Sequence, residues 1–66
     1  MKVRYDQKTD TLTILLKEDA KVAVSDDGRP GAVFDFDSMG DLVAVEILDA
    51  SRRVSEAGRV DFKLTS

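Results

Sequence analysis

Asp35, Asp37, Gly40 and Glu46 stand at positions one, three, six and twelve of the stretch DFDSMGDLVAVE. At that spacing an EF-hand loop places two of its carboxylates, the glycine of its sharp turn and its bidentate glutamate. Such a loop would hold a calcium ion through oxygen atoms. Position five, which must supply an oxygen, is Met39, and the flanking residues alternate as strands where the motif requires helices. The same residues also make a hairpin turn, with Asp37 at position i and Gly40 at i+3, and Gly40 free to take a left-handed conformation. In such a hairpin Glu46 lies several pairs up the partner strand, too far to close a coordination sphere with Asp35 and Asp37. The reading is an acidic turn, with a weak acidic metal-binding module as the alternative.

No other grouping points to catalysis. The chain has no His and no Cys, so the commonest general base and the strongest side-chain nucleophile are both missing. Asp26 with Asp27, or Asp35 with Glu46, would make carboxylate pairs, but scattered carboxylates are usually solvated charges. Glu46, in the middle of VAVEIL, is expected at a rim or paired with Arg4, Arg52 or Arg53, because a buried carboxylate needs a partner. No enzyme activity and no cofactor are expected.

Sixty-six residues make a single domain, 1–66, and so small a domain buries only about 60% of the surface its unfolded chain exposes. Without Cys or His, disulfides and the familiar zinc sites are excluded, which leaves an oxygen-ligated hard cation or self-association, and self-association is the expected source of extra stability. A net charge of −3 from 10 basic and 13 acidic residues disfavours nucleic acid as a partner. No apolar run approaches the roughly 18 residues of a membrane span, and the N-terminus lacks a signal peptide's apolar segment. A cytoplasmic, soluble protein that does not engage membranes is expected.

MKVRYD and TLTILLK alternate with period two and form a first hairpin around DQKTD. Lys21–Asp26 reads as a short strand through Val22 and Val24, and DDGRPG as a loop. AVFDF and LVAVEIL flank the acidic turn. If Asp37 lies opposite Asp41, Phe36 faces Leu42 and Phe34 faces Ala44, while Asp35 faces Val43 and Val33 faces Val45. Both faces of this hairpin then come out largely apolar, and two covers are needed.

A helix of about two turns, with Asp49 as N-cap, Ala50, Val54 and Ala57 on one side and Gly58 as its stop, can supply one cover. The second face, carrying Val33, Val43, Val45 and Ile47, is then left for a second subunit or another protein, with Arg52 and Arg53 as candidate polar contacts. Residues 59–66 alternate again and fit a fifth strand or a swapped arm as well as a frayed tail. The expected fold is α+β, a small antiparallel sheet of about four strands in hairpin order with one short C-terminal helix packed on one face.

YDQKTDTLTILL followed by PGAVFDFDSMGDLVAVEILDAS resembles small bacterial proteins grouped as domain of unknown function 2283 (DUF2283). Their pattern runs from a Tyr-Asp hairpin through Pro-Gly and an Asp-x-Asp turn with Gly to Glu-Ile-Leu and Ala-Ser. The likeness spans roughly residues 1 to 55, and Ala44 stands at or near the place where a Gly is expected. The resemblance implies a small sheet-and-helix domain without assigned activity. It also implies an antitoxin-like role beside a small toxin-like protein, since some members look like such partners. The functional expectation is therefore a protein-interaction module, antitoxin-like or a self-sufficient homodimer.

Overall fold

The computed structural model describes residues 1–66. Five strands, β1 (Lys2–Asp6), β2 (Thr11–Leu15), β3 (Val24–Arg29), β4 (Ala32–Phe36) and β5 (Leu42–Ile47), precede one short helix, α1 (Ala50–Arg53). All pairings are antiparallel and the strand order is β1-β2-β5-β4-β3. The protein is therefore mostly β. Simple hairpin order is not kept, because after β2 the chain crosses to the far edge and returns through β4 to place β5 beside β2.

The first hairpin lies where the alternation places it, with Val3 opposite Ile14 and Tyr5 opposite Leu12. β3 begins three residues later than expected and runs through DDGR, which the sequence suggested was loop. Only Pro30 and Gly31 remain to turn the chain between Arg29 and Ala32. Pro30 presets one turn residue and Gly31 takes the next at φ 80°, the order of conformations a type II turn requires. The acidic turn forms as read, closed by the Gly40 N–H donating to the Asp37 carbonyl at 3.1 Å, with Gly40 at φ 87°.

One irregularity changes the meaning of the sheet. Phe36 pairs with Leu42 as expected, but Asp35 pairs with Ala44, Phe34 with Val45 and Val33 with Glu46, so one extra residue is accommodated at Val43. A bulge of one residue transfers every later side chain of the strand to the other face. Val45 and Ile47 join Phe34, not Val33.

The helix is shorter than the apolar spacing suggested. Asp49 sits at φ 53°, ψ 45° and makes no side-chain cap bond, while Val54 is already extended. An N-cap needs a β-region backbone to aim its carboxylate at the first free N–H groups. Asp49 instead places its carboxylate against Arg52 at 3.3 Å. A single turn without a cap does not propagate, and Val54 and Ala57 leave the helix. Residues 59–66 form no strand; all five strands precede the helix, and the C-terminal segment adds none.

Candidate functional site

Cross-strand partners share a face, so the registers sort the sheet. Val3 and Tyr5 of β1, Leu12 and Ile14 of β2, Val45 and Ile47 of β5 and Ala32, Phe34 and Phe36 of β4 lie together on one side. Lys2, Arg4, Thr11, Thr13, Leu15, Ala44, Glu46, Val33, Asp35 and Ser25 lie on the other. The expectation of two apolar faces is thereby corrected: the bulge gathers the large apolar groups on one face and leaves a mixed, mostly polar one behind.

The five strands form one sheet, and the only helix is the four-residue α1. The chain occupies 34 × 32 × 19 Å, and only Leu12, Asp35, Val43, Ala44 and Ala50 are buried. Helix α1 is tied to the turns at one end of the sheet, through Asp10 and Gly31. It sits at the end of the sheet, where Ala50 donates its N–H to the Asp10 carbonyl at 2.9 Å and is fully buried.

Asp10 is the latch that holds this corner. It occupies the left-handed region at φ 55°. Its carboxylate accepts bonds from the Tyr5 hydroxyl, the Ser51 N–H at 2.9 Å and the Ser51 hydroxyl at 2.7 Å. These bonds favour the charged form, so the Asp10 carboxyl is held below the usual carboxylate range, by Tyr5 first and Ser51 next. Tyr5 is pushed up by the same bond, with burial and the Asp10 charge adding to it. The sequence reasoning missed this constellation. Its signal was the Tyr-Asp and Ala-Ser ends of the family-like pattern, which lie far apart in the chain and meet only here.

At the opposite end Lys17 clamps the acidic turn, with Nζ 3.0 Å from Asp37 and 2.8 Å from Asp41. The other Asp37 oxygen accepts the N–H groups of Met39 at 3.0 Å and Asp41 at 2.9 Å. The N–H bond from Asp41 and the Lys17 contact lower the Asp37 pKa. Both carboxylate oxygens of Asp37 are thus committed to the turn, and no three acidic side chains converge in a way that would hold a metal ion.

On the polar face the bulge produces what a regular hairpin would have prevented. Without it Asp35 and Glu46 would point to opposite sides; with it they are diagonal neighbours. Ser25 donates its hydroxyl to Asp35 at 2.6 Å. Glu46 makes no ion pair with Arg4, Arg52 or Arg53. Its carboxyl is pushed up chiefly by burial, then by its hydrogen bond to Asp35 and by the Asp35 charge.

The residues expected to form one uncovered face do not stay together. Val45 and Ile47 are half-buried on the apolar face, Val43 is only 2% exposed at the bulge, and Val33 lies on the polar face opposite Glu46. Arg52 extends into solvent beside Asp49. Arg53 lays its guanidinium over Gly31, so closely that a Cβ there would stand 2.3 Å from Cζ.

The fold and its corner define a class, a small single-layer antiparallel sheet domain whose Tyr5, Asp10, Pro30, Gly31, Asp37 and Ser51 serve the turns and the helix latch. Over residues 2–51 the chain matches the family described as "Protein of unknown function (DUF2283)", and it belongs to that family. Compared with curated proteins and with solved structures, it matches none. No helix is long and apolar enough to cross a membrane.

Proposed function

We propose that this protein is an interaction module that works through the apolar face of its sheet, with a second copy of the same chain as the occupant. The observation that carries the reading is the bulge at Val43, which collects Val3, Tyr5, Ile14, Phe34, Phe36, Val45 and Ile47 on one side of the sheet, where each is only half-buried. The four strands that carry these residues, β1, β2, β5 and β4, about 4.8 Å apart and each five or six residues long at about 3.3 Å per residue, give a flat footprint of about 330 Å². A contiguous apolar patch of a few hundred Å² is often functional. A closed two-fold pair is the commonest way to cover such a face, and burying it adds the apolar area that a 66-residue chain with five buried residues lacks.

The test is the mass in solution over a dilution series, with Val45→Glu on the apolar face and Val33→Glu on the polar face. A dimer that Val45→Glu dissociates and Val33→Glu keeps is expected. A wild-type monomer at every concentration would overturn self-association. The occupant would then be a foreign protein, of the toxin-like kind that the family resemblance implies.

A further inference from the structure

Residues 59–66 enter no strand and no helix. Val60, Phe62 and Leu64 are 59%, 75% and 87% exposed, three large apolar side chains at the period of a strand, and no strand contains them. We propose that residues Arg59–Leu64 are an exchanged arm that adds as a strand to the open edge of β1 in a second copy of the chain, an inference that rests on the self-association proposed above.

Three observations favour this occupant and this edge. Both outer strands, β1 and β3, have a free side. β3 carries Asp26 and Asp27, and its register breaks between Asp26 and Arg29, a device that protects an edge from addition. β1 keeps five regular pairs from Lys2 to Asp6, and its outer side is a continuous template.

The charges also match in one antiparallel register. With Phe62 opposite Val3, Asp61 meets Arg4, Val60 meets Tyr5 and Arg59 meets Asp6; only Lys63 meets a like charge, Lys2, at the end. A slip of two residues the other way sets Lys63 against Arg4 and Asp61 against Asp6. In the matched register Val60 and Phe62 extend the face that already holds Val3 and Tyr5, so the added strand widens the proposed interface.

Within its own chain the arm is directed elsewhere. Gly58 passes beside Arg4–Lys8, while Arg59 and Asp61 line a hollow with Leu12 and Val54. The Arg59 N–H donates to the Glu56 carbonyl at 3.1 Å, and the Arg59 guanidinium holds Glu56 and Asp61 at 3.4 and 3.3 Å. These contacts hold the start of the arm, Arg59 and Asp61, at the hollow beside Leu12 and Val54.

The test is a charge exchange between two chains. Arg4→Asp alone sets Asp against Asp61 of the arm, and Asp61→Arg alone sets Arg against Arg4, so each variant should dimerise about tenfold more weakly than wild type, because two cross-strand pairs per dimer change sign. Mixing the two variants creates a dimer in which both pairs are attractive again: Asp61 of the Arg4→Asp chain meets Arg4 of the Asp61→Arg chain, and the two substituted positions, now of opposite charge, meet each other. Recovery of dimer in the mixture, read by sedimentation, supports exchange, since an arm folded back on its own chain cannot be rescued by another molecule. Single variants as tight as wild type, or a mixture no tighter than its components, overturn the arm. If Val45→Glu still dissociates the dimer in that case, the apolar face stands and the arm alone falls; a wild-type monomer removes both.

Discussion

Gly31 offers a quantitative trial of how the turns and the helix corner are built. Its φ of 80° is left-handed, and a Cβ there would come within 2.3 Å of Arg53 Cζ and Nε. Gly40 has nearly the same backbone, φ 87°, but nothing within 4 Å, so it isolates the backbone contribution. Holding an L-residue in the left-handed region costs roughly 1–2 kcal/mol, offset in part by the lower entropy of the unfolded chain. Gly40→Ala should therefore lose about 1 kcal/mol. Gly31→Ala should lose that and about 0.5–1 kcal/mol more, because the guanidinium must leave its seat and surrender its packing. For a domain of this size each kcal/mol corresponds to about 4–8 °C in Tm. The assay is thermal unfolding by circular dichroism at one fixed protein concentration, since self-association would make Tm concentration-dependent. In an Arg53→Ala background the cost of Gly31→Ala should fall to that of Gly40→Ala. An unchanged Tm for Gly31→Ala, or its full rescue by Arg53→Ala, would refute the assignment of strain to the backbone.

Other substitutions probe the remaining contacts. Val43→Ala removes the most deeply buried large side chain, 2% exposed at the bulge, and should cost about 1.5–2.5 kcal/mol in urea unfolding. Glu46 has a raised pKa in the fold, so its contribution is fully present below the unfolded value near 4.3 and lost as pH rises through the folded value. Glu46→Gln should accordingly stabilise the protein at pH 7 and remove that decline from a stability profile measured between pH 4 and 8. Asp10 and Asp37 have lowered pKa values, and their contribution is present above about 3.9 and lost as pH falls through the folded values. Acid unfolding should therefore shift to higher pH in Asp10→Asn, with loss of amide protection at Ser51 in hydrogen exchange. Lys17→Met should raise the Asp37 pKa toward the ordinary carboxylate value, read by carboxyl-carbon NMR titration.

The two tight turns were legible because their chemistry is local. Asp37 and Gly40 mark one turn by residue type alone. Pro30 and Gly31 mark the other, although the surrounding DDGR was misread as loop because polar residues on an exposed edge strand carry no apolar alternation. The helix was overestimated for the opposite reason. Its apolar spacing is helical, but Asp49 is drawn into a left-handed corner by the latch at Asp10, and with the cap lost one turn is all that forms.

The sequence by itself determined that this chain is a small antiparallel sheet with an acidic hairpin turn, because period-two alternation and turn residues act over a few neighbouring positions. Only the tertiary structure decided which side chains share a face. Val43 carries no mark of the bulge, since an extra residue in a strand is a property of the pairing between two strands. That single residue moves Val45 and Ile47 to the side of Phe34, brings Glu46 beside Asp35, and turns a sheet expected to be apolar on both sides into one with a single face to bury.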